Sequence, residues 1–289
     1  MKQTVLITGA GRGIGRAIAE RFLSAGTFQV VGLARHTGND GFPILACDVT
    51  VPSAVEACVR QVWQDYGSID ILVNCAGAGL GGALEDFSYE QLAFELNLNV
   101  VGTANVIKTV LPYMRRQGHG RILSVGSVAG HIAIPFQAMY SASKAALHSI
   151  TDALRLELAG SGIQVCIVEP GDTKTSFTDS RQYAAGIAEN PYYKIPCQRA
   201  LNQMIFDERH GKSPATVAET VLRLCRKRKM PAYRVVGGGY RVLCGLARIL
   251  PGPVVAWILT LIYLKSKKDG GFSYPSPSQS SPSSEAKSS

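Results

Sequence analysis

The sequence predicts an α/β protein: a doubly wound parallel sheet with helices on both faces. Short apolar runs alternate with longer segments of helical period, which is the pattern of βαβ units. The short runs are also nearly continuously apolar, as strands covered on both faces must be. With 289 residues, 46% of them hydrophobic, the chain can fill one sizeable core. Strands are expected at Thr4–Ile7, Gln29–Leu33, Ile44–Ala46, Ile69–Val73, Gly120–Val125, Gln164–Val168 and Tyr233–Gly237. Helices are expected at Gly13–Ser24, Ser53–Tyr66, Ser88–Gln117, Met139–Ala159 and Pro214–Arg226. The turn-rich stretch Arg35–Gly41 has little room for a crossover helix, so the connection there is expected to be abbreviated.

Residues 1–242 read as one domain. Within it, about 176–211 loosens into aromatics, polar residues and two prolines, which suits a substrate lid or an ordinary surface excursion. Residues 243–268 form an apolar C-terminal helical extension, interrupted by Arg248, Pro251 and Pro253. Its unbroken part, Val254–Leu264, has 11 residues, against the ~20 that a bilayer span needs. An interfacial or partner-binding helix is expected, with docking over the protein's own pocket as the alternative. Residues 269–289 turn to Ser and Pro and read as a disordered tail.

The formal charge is +9, from 30 Lys and Arg against 21 Asp and Glu. No nucleic-acid motif or aromatic-interleaved basic cluster accompanies it. The charge therefore suits solubility, an anionic ligand or an acidic lipid surface rather than nucleic acid. Seven scattered cysteines without a CxxC pair read as reduced thiols, and strand-like Thr4–Ile7 leaves no room for a secretory leader before it. A cytoplasmic protein, with possible peripheral contact to a membrane, is the expectation.

Thr8-Gly9-Ala10-Gly11-Arg12-Gly13-Ile14-Gly15 follows the first strand and opens the first helix. Glycines there let the backbone turn sharply and approach a pyrophosphate, whose charge meets the helix N-terminus. Dinucleotide sites usually carry an acidic residue at the end of the second strand, for the ribose 2′-hydroxyl. This chain has Arg35 there, and Arg12 lies within the loop. A guanidinium pairs with a 2′-phosphate that a carboxylate would repel, so the pair favours NADP(H) over NAD(H).

Tyr140 and Lys144 stand four apart in Tyr-Ser-Ala-Ser-Lys, which places both on one helix face. A free phenol titrates near 10. A neighbouring ammonium, with the positive charge of an oxidised nicotinamide, is expected to favour phenolate and fit Tyr140 for proton exchange. Ser127, thirteen residues upstream and just past an apolar strand, is placed to hydrogen-bond a substrate oxygen.

This ordered set resembles the short-chain dehydrogenase/reductase family, over roughly residues 1–175. The resemblance puts the family's glycine motif on Gly9, Gly13 and Gly15, and the contacts near the adenine on Asp48 and Val49. It puts the Asn-Ala-Gly element on Asn74, Ala76 and Gly77, with Cys75 where a second Asn is usual. It implies that Asn99 holds a water in a proton relay, and that Ser127, Tyr140 and Lys144 are catalytic. Pro170, Gly171, Thr173 and Thr175 then fall beside the nicotinamide, and Arg12 and Ile14 join the cofactor loop. A Rossmann-type fold, a seven-stranded sheet, metal-free hydride and proton transfer, and a homodimer or homotetramer formed through the helices of Asn99 and Tyr140 are further implications. Tyr233–Gly238 followed by Leu243–Leu264 resembles the C-terminal extension of hydroxysteroid- and retinol-type members.

The expected substrate is a small lipophilic ketone or alcohol, such as a steroid, a retinoid or a long-chain acyl derivative. Candidate lining residues are His131, Phe136, Met139 and Phe177. His131 reads alternatively as a loop histidine on backbone, and with no ligand-spaced partners around it, it is not expected to bind metal. A ketoacyl-type reductase of carrier-bound substrates is the second enzymatic reading, and a catalytically silent NADP-binding module is the third.

Overall fold

A computed structural model of the protein describes residues 2–39 and 41–274. Its strands are β1 (Gln3–Thr8), β2 (Phe28–Ala34), β3 (Gly38–Asn39), β4 (Pro43–Ala46), β5 (Ile71–Asn74), β6 (Leu80–Gly81), β7 (Gly120–Val125), β8 (Ile163–Pro170), β9 (Gln182–Tyr183) and β10 (Tyr233–Val236). Its helices are α1 (Gly13–Ser24), α2 (Pro52–Tyr66), α3 (Tyr89–Leu96), α4 (Thr103–Gln117), α5 (Ala138–Glu157), α6 (Lys194–Arg209), α7 (Pro214–Cys225), α8 (Gly238–Ile249) and α9 (Gly252–Leu259).

The main sheet runs β10-β8-β7-β5-β1-β2-β4-β3. Seven strands are parallel, and two-residue β3 turns back antiparallel onto β4. That small ribbon is the abbreviated connection between β2 and β4. Helices α1 and α7 pack on one face, through Ile18, Phe22, Val217 and Val221. Helices α2, α4 and the end of α5 cover the other, through Val55, Val59, Val106 and Leu158. This is the expected Rossmann-type arrangement. Strand order reverses at β1, and the loops leaving β1 and β5 there form the crevice in which such sheets bind ligands.

The expected helix 88–117 is divided. Ser88 and Gln91 form a reciprocal cap that starts α3. A π-helical turn, Asn97–Gly102, then leads into α4. A side chain at Gly102 would collide with Val49, its Cβ falling 2.8 Å from Cγ2. The turn thus seats the Asp48–Val49 loop against the helix, and Asn105 bonds the Val49 carbonyl at 2.9 Å. Helical periodicity reads continuously across a single wide turn, which is why the sequence does not mark it.

Two expectations are corrected. The segment 176–211 is irregular only in its first half, where β9 pairs with β6; its second half is the 16-residue helix α6. Pro196 is compatible with that helix because it falls in the first turn, where backbone N–H groups lack helical partners. The tail expected to be disordered from 269 is ordered as far as Tyr274. Asn202 of α6 accepts from the N–H groups of Gly270 and Phe272 at 3.2 and 2.8 Å. Phe272 is buried beside Tyr183, ring centroids 5.0 Å apart. Residues 275–289 of that expectation lie outside the described residues. The apolar extension starts at Gly238, inside the expected domain, and breaks at Leu250-Pro251 into two helices. No helix among the described residues is long and apolar enough to cross a membrane.

Candidate active site

Gly9 adopts φ +66°, and a Cβ there would lie 2.9 Å from the Ala76 nitrogen, so only glycine lets the β1 and β5 loops touch. Buried Thr8 fastens them, accepting from the N–H groups of Cys75 and Ala76 at 3.0 and 3.1 Å. A Cβ at Gly15 would fall 2.3 Å from the Gly9 carbonyl, so the third glycine allows α1 to meet the turn. Ile14 packs its side chain into the core, leaving its backbone at the helix start. No side chain caps the start of α1, and its first turn holds no acidic residue. Its N–H groups therefore suit a pyrophosphate. Arg12 and Arg35 are both exposed, on the loops after β1 and β2 at the same sheet edge.

The remaining cofactor candidates divide. Asp48 is half-buried, and its Oδ1 accepts from the Thr50 amide and hydroxyl at 2.9 and 2.7 Å, which fixes the loop. The Asn74 side chain turns into the sheet toward Ser124, 3.4 Å away. Its amide group supports the loop, and it is Ala76 and Gly77 that line the crevice. Thr175 comes within 3.6 Å of a Cβ built on Gly13, so the loop after β8 closes over the glycine turn. Thr173 bonds the Gly171 carbonyl at 2.9 Å. Gly171 itself lies under the Tyr240 ring of α8, whose hydroxyl donates to Asp172.

Helix α5 brings Tyr140 and Lys144 to the cleft beside Ser127. Ser127 lies beside the Tyr140 phenol, close enough to pull its pKa down, and its hydroxyl accepts from the Ala129 amide at 3.1 Å, which fixes its rotamer. Lys144 Nζ lies 5.6 Å from the Tyr140 ring centre and donates to the Val125 carbonyl at 3.1 Å. The expected lowering of the phenol pKa calls for an oxidised nicotinamide beside the ammonium; in the protein alone, burial raises the phenol, and the neighbouring Ser127 hydroxyl offsets that in part. Burial also lowers the Lys144 ammonium, to about 8, against the pull of Cys75 and Glu95. At both groups desolvation outweighs the interactions that oppose it.

Asn99 is buried within the π turn. Its Oδ1 accepts from the Ala78 amide at 2.9 Å, and its Nδ2 donates to the Ala78 carbonyl and Ser143 hydroxyl, both at 3.0 Å. It therefore ties the π turn to the β5 loop and to α5, one residue from Lys144. Phe177, from the lid, packs on Gly79 and stands 5.8 Å from the Tyr140 ring. Phe136 holds a left-handed backbone, φ +61°, uncommon for a bulky residue, and joins Leu80, Ile134 and Tyr193 in the lid's apolar cluster.

A family model described as short chain dehydrogenase matches residues 3–185. The chain belongs to the short-chain dehydrogenase/reductase family. It is 34% identical to a 3-ketodihydrosphingosine reductase of Bacteroides thetaiotaomicron, over 90% of this chain and 98% of that protein. It is 29% identical to a probable short-chain type dehydrogenase/reductase of Helicobacter pylori, over 91% and 99%. Among solved structures, a short-chain dehydrogenase from Streptomyces avermitilis superposes with TM-score 0.76 at 30% identity, covering 89% of this chain and 97% of that one. An actinorhodin polyketide ketoreductase variant with NADPH gives 0.69 at 31%, covering 83% and 97%. The protein is thus an oxidoreductase of a family that uses NAD(P)(H), and the glycine turn, uncapped α1 and the Ser127–Tyr140–Lys144 cleft fit that cofactor.

Within this reductase fold, His131 leaves the expected pocket wall. Its Nε2 donates to Glu169 Oε2 at 2.8 Å, and Arg248 donates to its Nδ1 at 3.4 Å, so no polar atom remains for substrate. His148, one turn past Lys144, bonds the other Glu169 oxygen. Sequence spacing hid this set of partners because they come from β8, α5 and α8. The three donor atoms lie within 4.8 Å of one another. With both carboxylate oxygens engaged and a guanidinium alongside, they close as a hydrogen-bonded brace between the Ser127 loop, α5 and the end of β8. Burial pushes the Glu169 pKa up, but the two histidines outweigh it and hold it below the ordinary value. A lone acid at the end of the apolar run Val165–Val168 is the sequence signal that could have found it.

Glu95, one turn before Asn99, was also missed. Fully buried, it receives the Asn99 amide at 3.4 Å, and burial lifts its pKa to about 8, against the Leu80 amide, Lys144 and Arg181. Between the ordinary carboxyl value and 8, the native state keeps a proton that the unfolded chain has lost, so stability falls as pH rises through that window. Glu95→Gln should flatten this dependence. In thermal melts the wild-type Tm is expected to drop by on the order of 5 °C from pH 5 to 8 through this group, and the variant's Tm should not. Parallel curves for the two proteins would show that Glu95 titrates normally.

Proposed function

We propose that this enzyme reduces the carbonyl of a lipophilic, amphiphilic ketone to an alcohol with NADPH. The observation that carries the reading is the apolar side of the cleft, where Phe177 stands 5.8 Å from the Tyr140 ring and Phe136, Leu80 and Tyr193 belong to one apolar cluster. Such a wall gains by burying a hydrocarbon chain, at about 25 cal/mol per Å² of apolar surface. Polar groups stand nearby. Buried Arg181 pairs with Glu208, and both charges act on Tyr140. Arg181 Nε and Nη1 meet no acceptor among the described residues. A substrate with a polar function close to its ketone and an alkyl tail suits that combination. The Bacteroides relative, named for a ketone of this kind, supports the reading.

When bound, the reduced nicotinamide supplies the hydride. Ser127 and Tyr140 hold the substrate carbonyl oxygen by hydrogen bonds as charge develops on it, and Tyr140 delivers the proton that completes the hydroxyl. The raised phenol pKa keeps Tyr140 protonated before that step, as reduction requires. Lys144 shares the cleft and favours the phenolate left afterwards. Arg12 and Arg35 favour the 2′-phosphorylated dinucleotide, and the NADPH-bound ketoreductase neighbour supports that choice.

The test is NADPH oxidation by purified enzyme, screened over steroid, retinoid, 3-keto sphingoid base and carrier-bound ketoacyl substrates. The expected result is the highest kcat/KM for a long-chain ketone bearing a nearby polar group. Turnover confined to carrier-bound or small hydrophilic ketones would overturn the assignment.

A further inference from the structure

Helix α9 is apolar all round and α8 is apolar apart from Arg241 and Arg248, and each packs one face on the protein. Cys244, Ala247, Val255 and Leu259 turn inward against Ile132, Val128 and Val235. The opposite faces stay bare. Val242, Leu246 and Ile249, spaced i, i+4, i+7, are 63, 49 and 82% exposed; Val254, Trp257 and Leu261, spaced i, i+3, i+7, are 39, 62 and 39% exposed. Those spacings place each trio along one side of its helix. Residues 242–262 hold eight of the eighteen large exposed hydrophobics among the described residues, so the exposure is concentrated rather than scattered.

The charge along this stretch of chain is positive, with Asp207 paired to Lys268 at 3.6 Å and Asp269 just beyond it. From Thr220 to Lys268 the chain carries eleven Lys and Arg and no Asp or Glu, although the whole chain has 21 acids. Arg241 and Arg248 lie on α8, and exposed Lys265, Lys267 and Lys268 follow the π turn Thr260–Leu264 that ends α9.

We propose that this face docks on a bilayer surface bearing anionic lipids, with α8 and α9 lying in the interfacial plane. Interfacial helices combine an apolar face with flanking cations, and Trp is favoured at the headgroup level, where Trp257 would sit. Headgroup charge complements the cations. Two copies of this face would instead bring like charges together, which argues against self-association as its use. Both helices are too short to span, and the break at Leu250-Pro251 keeps them apart. Tyr240 at the start of α8 rests on Gly171, so docking would hold the cleft next to the lipid.

The test is co-sedimentation of the full chain with phosphatidylcholine vesicles, with and without phosphatidylserine, and it requires no substrate. Pelleting is expected with phosphatidylserine vesicles, reduced by salt, together with a blue shift in the fluorescence of Trp257. The triple variant Leu246→Glu, Trp257→Glu, Leu261→Glu should lose binding at least roughly tenfold while keeping its melting temperature and its turnover of a short ketone, because these side chains face solvent. Lys265→Glu with Lys267→Glu should weaken binding without altering the apolar face. Failure to pellet with either vesicle, equal pelleting by wild type and both variants, or a concentration-dependent dimer abolished by the triple variant would each overturn the proposal.

Discussion

Tyr140→Phe should lower kcat by roughly 10²–10⁴-fold, the usual worth of a general acid, while leaving NADPH affinity unchanged. The substitution removes one oxygen from a ring that keeps its contacts with Phe177 at 5.8 Å and Lys144 at 5.6 Å. Fold and cofactor cleft are therefore expected to persist, and the lost atom is the one proposed to give the proton. Single-turnover kinetics with pre-bound NADPH separates chemistry from binding. Because Ser127 lies beside the same phenol, Ser127→Ala should also slow the chemical step, and the two losses should not add. Turnover near the wild-type rate in the Phe variant would remove Tyr140 from the reaction.

Arg35→Asp should weaken NADPH binding by about 10- to 100-fold, and NADH binding far less. A charge-assisted hydrogen bond is worth about 1.5–3 kcal/mol, and each 1.4 kcal/mol is tenfold in affinity. The new carboxylate would repel the 2′-phosphate, whereas in NADH it would meet a 2′-hydroxyl that can donate to it. Arg35 is exposed at the sheet edge, so the substitution leaves the core intact. Titration of both dinucleotides by protein fluorescence at low and high salt checks this, because an exposed ion pair weakens as salt rises. Equal losses for both would show that Arg35 does not touch the phosphate.

Much of the site is legible in the chain because its parts are local. The glycine turn needs a strand, small residues and a helix in succession, and β1, Gly9–Gly15 and α1 supply them within 24 residues. Tyr140 and Lys144 need one helical turn, which spacing alone defines. Where sequence reasoning went astray, the deciding physics was non-local. Spacing along one helix does not show how deeply Tyr140 and Lys144 are buried, and it is burial that dominates the pKa of each in the protein alone. His131 was placed in the pocket, yet its orientation is set by Glu169, 38 residues away, and by Arg248, 117 away.

The amino-acid order by itself determined the parallel α/β sheet, the glycine turn between β1 and α1 and the shared helix face of Tyr140 and Lys144, since hydrophobic period and short-range spacing are properties of the chain. Tertiary structure decided the brace around Glu169, the burial of Glu95, the helix α6 and the bare outer face of α8 and α9. Those features depend on which surfaces meet and which stay in water, and desolvation is a property of the packed molecule.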